Sequence, residues 1–442
     1  MFKGSKFKKA TLFVTTVSLL TLVIAFGVQR RCAAQGGGDD YQSIELFTDV
    51  LAIVKKSYVE EVDTKKLVYG AINGMLTSLD PHSSFMPPET YKEMKIDTKG
   101  AFGGLGIEIT VKEGILTVIS PIEDTPAFRA GIKAGDQILK IDDKFTKDLT
   151  ITDAVKRMRG VKGTKVTLTI MRDGFDKTKE FVLERDIIQV KSVKYKVLDD
   201  GYGYVRISQF QEKTDDDLEK ALHALQGEQK ALNGLVLDLR NDPGGLLDQA
   251  VRVSEHFVEE GKLIVYTEGR EKDAQMRFTS RKGNKQGSYP IVVLINSGSA
   301  SASEIVAGCL QDHKRGVVMG TQSFGKGSVQ TIIPLSDNSG LRLTTARYFT
   351  PSGRSIQAKG ITPDIVAEKV EVAATTEKKE GMHIREKDLE NHFEDKKEVI
   401  EDKKAKPALY KTDEAIKGDS QVLRALDLLK GWEILKSMGK LP

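Results

Sequence analysis

The sequence predicts an α/β core that follows a β-rich domain, with helical segments at both ends of the chain. Two runs in the second half, 234–240 and 291–295, are almost wholly apolar and end in turn-forming residues, which is typical of buried strands. A helix-like run, 304–311, follows the second of them. In the first half a strand-like run, 115–119, is followed by a helix-like run, 152–159.

The amino terminus carries the pattern of an export signal. Four lysines among the first nine residues precede 11–28, which is uncharged, near the lower length limit for a membrane span and long for a signal-peptide core. Residues 1–34 are therefore predicted to be a signal peptide or a membrane anchor. Arg30–Arg31 argue against clean removal, whereas 32–34 offer small residues for cleavage. The leading lysines favour a cytoplasmic amino terminus, which places the body in the periplasm, free or anchored to the inner membrane.

The composition fits a soluble globular body of two or three domains. The chain has 442 residues, of which 29% are charged and 39% hydrophobic. Its net charge of +4 is too small for this length to indicate a nucleic-acid partner. The only cysteines are Cys32 and Cys309, so a disulfide-dependent fold is not expected. Cys309 falls in an apolar helical run and is interpreted as a buried residue rather than a nucleophile.

Three segments outside the core and the β-rich domain have distinct compositions. Residues 41–95 have the apolar spacing of amphipathic helices and suit a packing or dimerisation role. Residues 368–410 mix acidic and basic side chains with few apolar ones, which predicts a solvated charged linker. Residues 411–442 are predicted to be a helical segment because helical periodicity returns over 422–435. Whether this helix docks or forms a free tail stays open.

The most informative motif of the core, 187–367, is a serine at a strand-to-helix corner. Residues 296–302 are small and polar, so the corner can expose the Ser301 hydroxyl at the positive end of the helix dipole. Ser301 and Glu304 also fit the S-x-x-E capping box, in which Ser301 would merely begin the helix.

Lys326 offers a base for this serine. It lies between two glycines, which let other backbone approach the ammonium, and a desolvated lysine has the lowered pKa that a general base needs. If 329–334 is a strand that reaches back to the lysine, period two puts Lys326, Ser328 and Gln330 on one face. Gln330 could then hold the lysine amine by a hydrogen bond. Separately, these features would also fit an ordinary basic turn and an exposed strand residue.

A glycine turn after the run 234–240 offers hydrogen-bond donors. Asn241-Asp242-Pro243-Gly244-Gly245 can aim backbone N–H groups at one point. Gly244 or Gly245, together with the amide of Ala302, would supply an oxyanion hole. A plain turn that ends a strand is the other interpretation.

Histidine is a poor candidate for the base. None of the six histidines lies in a recognisable catalytic context, and the G-x-S-x-G elbow is absent around Ser301. A serine–lysine pair therefore fits better. No cofactor and no metal is predicted. The histidines are His82, His223, His256, His313, His383 and His392.

With Ser301, Lys326 and Gln330 in this order, the run 293–330 resembles the carboxyl-terminal processing peptidases, or tail-specific proteases. The resemblance covers most of the chain from about Tyr41 to Val366. It implies a serine endopeptidase that acts on proteins through their C-terminal ends. It also implies that Ser301 is the nucleophile, Lys326 the general base and Gln330 its partner.

The β-rich stretch 96–186 resembles a PDZ domain in the order of its elements. A glycine loop comes first, followed by the strands 108–111 and 115–119, a helix and the strand 165–171. In such domains the loop cradles a carboxylate and the following strand edge accepts a peptide. The resemblance thus implies peptide binding by Gly104, Leu105, Gly106 and Ile107. Arg159, at the end of the predicted helix, is a candidate for coupling this domain to the core, or an ordinary cation at a helix C-terminus.

The fold class implied is an α/β protease core with a β-rich PDZ domain and helical N- and C-terminal segments. The expected partners are protein or peptide substrates with free C termini. A homo-oligomer and membrane attachment through 11–28 stay open. The runner-up is a catalytically silent PDZ scaffold that binds exposed C termini. A crotonase-like acyl-group enzyme would share the glycine-made oxyanion donors but would leave the PDZ segment unexplained.

Overall fold

The structure is a computed structural model that describes residues 40–112, 114–199, 201–229, 232–281, 287–368, 385–388 and 418–439. The described chain divides into two units at Met75. The first unit contains α1, which spans 40–57, and most of α2 (Thr64–Thr77). The predicted N-terminal segment is therefore helical.

The second unit, from Leu76 onward, contains the remaining elements. Its helices are α3 (Pro88–Lys99), α4 (Pro126–Arg129), α5 (Ile151–Met158), α6 (Thr214–Gln229), α7 (Leu247–Glu255), α8 (Ala302–Asp312) and α9 (Ser420–Ser437). Three 3-10 turns are Thr146–Asp148, Lys272–Ala274 and Glu386–Asp388. Its strands are β1 (Ser84–Met86), β2 (Ala101–Gly104), β3 (Ile107–Lys112), β4 (Ile115–Pro121), β5 (Gln137–Ile141), β6 (Lys144–Phe145), β7 (Lys165–Met171), β8 (Lys179–Glu184), β9 (Asp186–Gln189), β10 (Val193–Asp199), β11 (Tyr202–Ile207), β12 (Gly234–Asp238), β13 (Leu263–Gly269), β14 (Arg277–Thr279), β15 (Ile291–Ile295), β16 (Val317–Gly320), β17 (Ser328–Pro334), β18 (Gly340–Phe349) and β19 (Ile365–Val366).

A six-stranded sheet forms the centre of the core, in the order β10-β11-β12-β15-β16-β19. Every pair in it is parallel except β10 with β11. The two predicted apolar runs are its central strands β12 and β15, and every residue of both is buried. Alternate residues point to opposite faces, so a strand without polar positions needs cover on both.

The two faces of this sheet are covered by different helices. One face packs with α6, α7 and α8, through residues such as Leu222, Val253 and Ile305. The other face packs with α9, through Val422 and Leu429 among others. The C-terminal helix therefore docks on the core.

A six-stranded sheet forms the β-rich domain, in the order β3-β4-β5-β7-β8 with β6 paired to β5. Among the described strands, β3 pairs only with β4, so its other edge is open. The separate two-stranded ribbon β2–β9 joins this domain to the core. The Val190 N–H donates to the carbonyl of Gly100 at 2.9 Å, so the chain enters and leaves the domain side by side.

A third sheet, β1-β18-β13-β14 with β17 paired to β18, carries the predicted Gln330 on β17, and Lys326 lies two residues before that strand. β17 and β18 form a hairpin with a register shift between Val329 and Gln330. The predicted extended run 329–334 is thus part of β17.

Two of the segments predicted from the sequence lie wholly or mostly outside the described residues. No helix within the described ranges is long and apolar enough to cross a membrane. The apolar stretch 11–28, with the rest of 1–34, lies outside these ranges, as do Cys32, His383 and His392. Most of the segment 368–410 lies outside as well. Its described part differs from the predicted solvated linker, because Glu386 is fully buried against the core.

Candidate active site

Ser301 occupies a strained corner between β15 and α8. Its backbone has φ 57° and ψ −112°, a left-handed conformation that a residue with a side chain rarely adopts. Neighbouring bonds hold the corner: Ala300 N–H donates to the Asp242 carbonyl at 3.0 Å, and the Ser299 hydroxyl donates to the Leu239 carbonyl at 2.8 Å. The half-buried Ser301 side chain therefore stands at the N-terminus of α8, as a nucleophile on a sharp turn does.

The buried carboxylate of Glu304 joins the serine corner, 296–302, to the lysine loop, 325–327. One of its oxygens, Oε2, accepts the Ser301 N–H at 2.8 Å and the Lys326 N–H at 3.0 Å. The other, Oε1, accepts the Gly325 N–H at 2.8 Å and the Ser323 hydroxyl at 2.6 Å. Burial raises the pKa of Glu304 to about 7, and these hydrogen bonds oppose that rise. The capping interaction expected from the sequence is present, and it also sets the serine beside the lysine.

The surroundings of Lys326 shift its titration towards the neutral amine. Burial lowers the pKa of Lys326, and the positive charge of Arg342 lowers it further. The carboxylates of Glu386, Glu304 and Asp80 oppose this shift. Within the part of the chain that the structure describes, the Lys326 side chain has no hydrogen-bond or ion-pair partner. An unpaired, desolvated amine is suited to accept a proton.

Tyr348, on β18, is a site residue that the sequence analysis missed. Its hydroxyl donates to the carbonyl of Lys326, and its backbone N–H donates to the Gly327 carbonyl at 2.9 Å. Burial raises the pKa of Tyr348 well above its ordinary value, and the nearby Ser301 side chain opposes that rise. Tyr348 therefore fixes the lysine loop from the strand behind it.

The two glycines of the turn after β12 have different roles. The Gly244 N–H is already engaged, because it donates to Asp242 Oδ1 at 2.8 Å. Gly244 instead lets the turn lie close to Ser301, because a Cβ at position 244 would be 2.8 Å from the Cβ of Ser301. Among the described residues, the N–H groups of Gly245 and Ala302 have no hydrogen-bond acceptor. Of the predicted donors, Gly245 and Ala302 are thus the pair available to an oxyanion, and Gly244 is not.

Asp242 is a buried carboxyl directly behind this turn. Its Oδ2 has no hydrogen-bond partner among the described residues. Burial raises the pKa of Asp242 to about 8, although the bond from the Gly244 N–H and the charge of Arg206 both lower it. Burial therefore favours the protonated form of Asp242 more than in an exposed aspartate. No local pattern indicates the burial of Asp242, because an aspartate in a turn is usually exposed.

Gln330 does not form the bond that the strand period predicted. Its amide nitrogen donates to the Ser328 hydroxyl at 2.8 Å and to the Ser328 carbonyl at 3.2 Å. The reason is the bulge between Val329 and Gln330, which interrupts the alternation on which the expectation depended. Gln330 nevertheless lines the same cleft as Ser301.

The cleft beside Ser301 has a volume of about 260 Å³. Its walls are mainly apolar, with Gly245 and Ala302 at the serine end. The apolar side chains come from three parts of the core and from α3. They include Met94, Leu246, Leu247, Ile305, Val329 and Ile332.

The described histidines and Cys309 have partners or positions that serve other purposes. His82 pairs with Glu386, His256 with Asp215 at 2.7 Å, and His313 donates to a backbone carbonyl. His223 is exposed on α6. Cys309 is fully buried, and burial raises its pKa to about 12, so it is not a nucleophile.

The predicted peptide-binding loop connects β2 with β3. Gly104 ends β2, Leu105 is buried and Ile107 begins β3. Gly106 has φ 75°, and its carbonyl accepts the Ile122 N–H at 2.8 Å. This hydrogen bond fixes the loop beside the open edge of β3.

Arg159 follows α5 and faces the connecting ribbon. Its guanidinium lies over the ring of Phe102 on β2, 4.5 Å from the ring centroid. Its Nε has no hydrogen-bond partner among the described residues. Arg159 thus contacts the ribbon that joins the β-rich domain to the core.

Three family models match the chain. The model "Peptidase family S41" matches residues 201–367, "PDZ domain" matches 103–183, and "Activating protease CtpB N-terminal domain" matches 28–90. The last two matches together cover most of the chain before the core.

Curated relatives match over longer stretches. The carboxy-terminal-processing protease of Bartonella bacilliformis is 48% identical over 428 residues, which is 96% of this chain and 96% of that protein. The carboxy-terminal processing protease CtpA of Bacillus subtilis is 38% identical over 316 residues, 71% of this chain and 67% of that protein. A solved structure, the photosystem II D1 C-terminal processing protease, aligns with 30% identity and a TM-score of 0.43, over 73% of this chain and 92% of that chain.

Proposed function

Because the chain belongs to the carboxy-terminal processing protease family of serine-type peptidases, we propose that Ser301 is its nucleophile and Lys326 its general base. The observation that carries this proposal is the shared Glu304 oxygen, which binds the backbone N–H groups of both residues. The strained Ser301 backbone and the unpaired Lys326 side chain support it.

The proposed reaction is acyl transfer through the Ser301 hydroxyl. As the hydroxyl oxygen attacks the scissile carbonyl carbon, neutral Lys326 takes its proton. The N–H groups of Gly245 and Ala302 stabilise the oxyanion that forms. The lysine then gives the proton to the leaving amine. In the second half of the reaction, neutral Lys326 takes a proton from water, whose oxygen attacks the acyl carbonyl carbon. The lysine returns that proton to the Ser301 oxygen as the ester bond breaks.

The proposed substrates are proteins that the β-rich domain holds by a free C terminus. The glycine loop 104–107 would bind the terminal carboxylate through backbone N–H groups, and the open edge of β3 would pair with the preceding residues. The apolar cleft beside Ser301 favours apolar side chains next to the scissile bond. Gln330 would contact the substrate from the wall of this cleft.

We also propose that the protein is exported and acts in the periplasm, with 11–28 as either a removed signal or an anchor. The lysines before this stretch and its lack of charge support the proposal. Fractionation of cells that express the tagged chain, with mass spectrometry of its amino terminus, tests both points. Recovery of the whole chain in the cytosol would refute export.

Light scattering of the purified protein would measure its oligomeric state.

Replacement of the two proposed catalytic residues tests the mechanism. Ser301→Ala and Lys326→Ala should each abolish cleavage of a denatured protein substrate, and the double variant should be no worse, because members of one catalytic unit are not additive. Lys326→Arg should fail as well, since a guanidinium stays protonated. Ser437→Ala and Lys220→Ala, on exposed helix faces, are the matched controls. Activity retained in either single variant would refute the assignment.

A further inference from the structure

A short segment near the C-terminus returns to the catalytic lysine. The segment 385–388 contains the 3-10 turn Glu386–Asp388, in which Glu386 is fully buried. The Glu386 backbone N–H donates to the carbonyl of Phe324 at 3.3 Å, two residues before Lys326. A buried carboxyl in a segment of otherwise charged composition calls for a specific set of partners.

Those partners link three distant parts of the chain. His82 Nε2 lies 2.6 and 2.7 Å from the two carboxylate oxygens of Glu386. The Gln357 side-chain amide donates to Glu386 Oε1 at 2.8 Å, and its own oxygen accepts the Gly327 N–H at 2.9 Å. A continuous chain of hydrogen bonds therefore runs from Glu386 through Gln357 to the residue after Lys326.

The lysine loop is consequently held by two carboxylates. Glu304 binds the N–H groups of Gly325 and Lys326, and Glu386 reaches the next N–H, that of Gly327, through Gln357. Three successive backbone N–H groups are fixed in this way. Small displacements of a catalytic group are costly, so bonds that fix the loop bear on the reaction.

Glu386 is also one of four charged groups that act on the Lys326 ammonium. Arg342, on β18, favours the neutral amine, whereas Glu386, Glu304 and Asp80 favour the charged form. Asp80 is itself bound by Ser83 and Thr344, and Arg342 Nε donates to the His82 carbonyl at 3.1 Å. Glu386 is the only one of these four groups that comes from beyond residue 368.

We propose that Glu386 is a positioning residue for Lys326, so that the segment 385–388 completes the catalytic site although it follows the core in sequence. The inference rests on the proposed function, in which Lys326 is the base. Glu386 acts in two ways. It holds the lysine loop through Gln357, and its negative charge favours the charged form of Lys326.

The test is the pH profile of kcat for Glu386→Gln, with Glu260→Gln, at an exposed position after α7, as the matched control. Loss of the negative charge should move the rising limb to lower pH, because the lysine then loses its proton more easily. The plateau should fall about tenfold as the loop loosens. KM should change little, since Glu386 does not line the cleft. The control should match the wild type in all three quantities.

A second variant separates the two actions and covers a folding failure of the first. Gln357→Met breaks the link to Gly327 and keeps the charge, so it should lower the plateau without moving the limb. If Glu386 and Gln357 only stabilised the fold, both variants would have a lower unfolding temperature. At temperatures well below unfolding, the rising limb and the plateau of their kcat profiles would match those of the wild type. That result would overturn the inference.

The same experiment distinguishes this inference from the proposed function. If Lys326→Ala is inactive and Glu386→Gln has the wild-type limb and plateau, only the role of Glu386 is refuted. If Lys326→Ala keeps the rising limb, the assignment of the base is refuted, whatever Glu386→Gln does.

Discussion

Around Ser301, the proposed nucleophile, the buried polar groups mostly hold the backbone in place. Glu304, Tyr348 and Asp242 make their contacts with main-chain atoms of the serine corner, the lysine loop and the glycine turn. Each is buried, so each bond is shielded from water and counts more than it would at the surface.

Tyr348→Phe should lower kcat by roughly fivefold with little loss of fold, since it removes one hydrogen bond to the lysine loop, worth about 1 kcal/mol. Tyr289→Phe is the matched control, because the buried Tyr289 hydroxyl has no partner among the described residues and its loss should be neutral or slightly stabilising. Steady-state kinetics and thermal unfolding of both variants provide the comparison. Equal activity in the two would show that the Tyr348 hydroxyl is dispensable.

Asp242 should make the protein less stable as pH rises. Its folded pKa of about 8 lies above that of an exposed aspartate, so between the two values the unfolded chain has lost a proton that the folded chain keeps. Stability therefore falls with rising pH up to about 8. Asp242→Asn keeps an acceptor for the Gly244 N–H and should remove this loss. Urea unfolding at pH 5 and pH 8, in the Ser301→Ala background, measures the difference.

The exposed Asp427→Asn is the control for that measurement. It should leave the pH dependence of unfolding as in the parent protein. A parallel pH dependence in Asp242→Asn and the parent would mean that Asp242 is ionised in the folded state.

At this scale the sequence predicted residue types better than contacts. Ser301 and Lys326 could be singled out because a serine at a strand-to-helix corner and a lysine between glycines are local patterns. Glu304 could be seen only as a cap, since its bonds to the lysine loop depend on tertiary packing. Tyr348 carried no local signal at all. The choice between Gly244 and Gly245 depends on Asp242, whose burial no local pattern reveals.

Among the elements, α9 is the one whose role the sequence left open. It covers one face of the central sheet, and a buried network ties its N-terminus to the core. There Arg240 Nη1 donates to Gln421 Oε1 at 2.7 Å and lies 3.0 Å from Asp419 Oδ2. The helix is therefore part of the core and not a tail.

Leu429→Ala should destabilise the core by about 2–5 kcal/mol, as expected when a fully buried leucine leaves a cavity. Leu423→Ala in the same helix, where the leucine is 44% exposed, should cost less than about 0.5 kcal/mol. Denaturant unfolding of the two variants gives the comparison. Similar values for both would mean that α9 detaches from the sheet in solution.

Strand and helix positions were predictable where an apolar or helix-like run was unbroken and ended in turn residues, as in β12, β15 and α8. β17 shows the limit. Its extent was close to the predicted run, but one extra residue at the bulge changed which side chain faces the lysine. Such an irregularity depends on pairing with β18, which a single strand does not encode.

For the whole molecule, recognition by the β-rich domain should depend on a free carboxylate. Amidation of a peptide's C terminus removes the charge that the loop 104–107 is proposed to bind, and should weaken cleavage without altering the scissile segment. Free-acid and amidated forms of one peptide, compared over a concentration series, give the answer. Equal cleavage of both would exclude the loop from substrate capture.

The ribbon β2–β9 also bears on how the molecule could have been assembled. Because Gly100 and Val190 are hydrogen-bonded neighbours, the two ends of the intervening domain lie side by side where the chain leaves and re-enters the core. A few residues could bridge that point, and shortening the closed loop so much would lower its closure entropy cost by about 2–3 kcal/mol. The domain is thus placed as an insertion. It can be gained, lost or replaced by another binding domain without changing the path of the chain through the catalytic core.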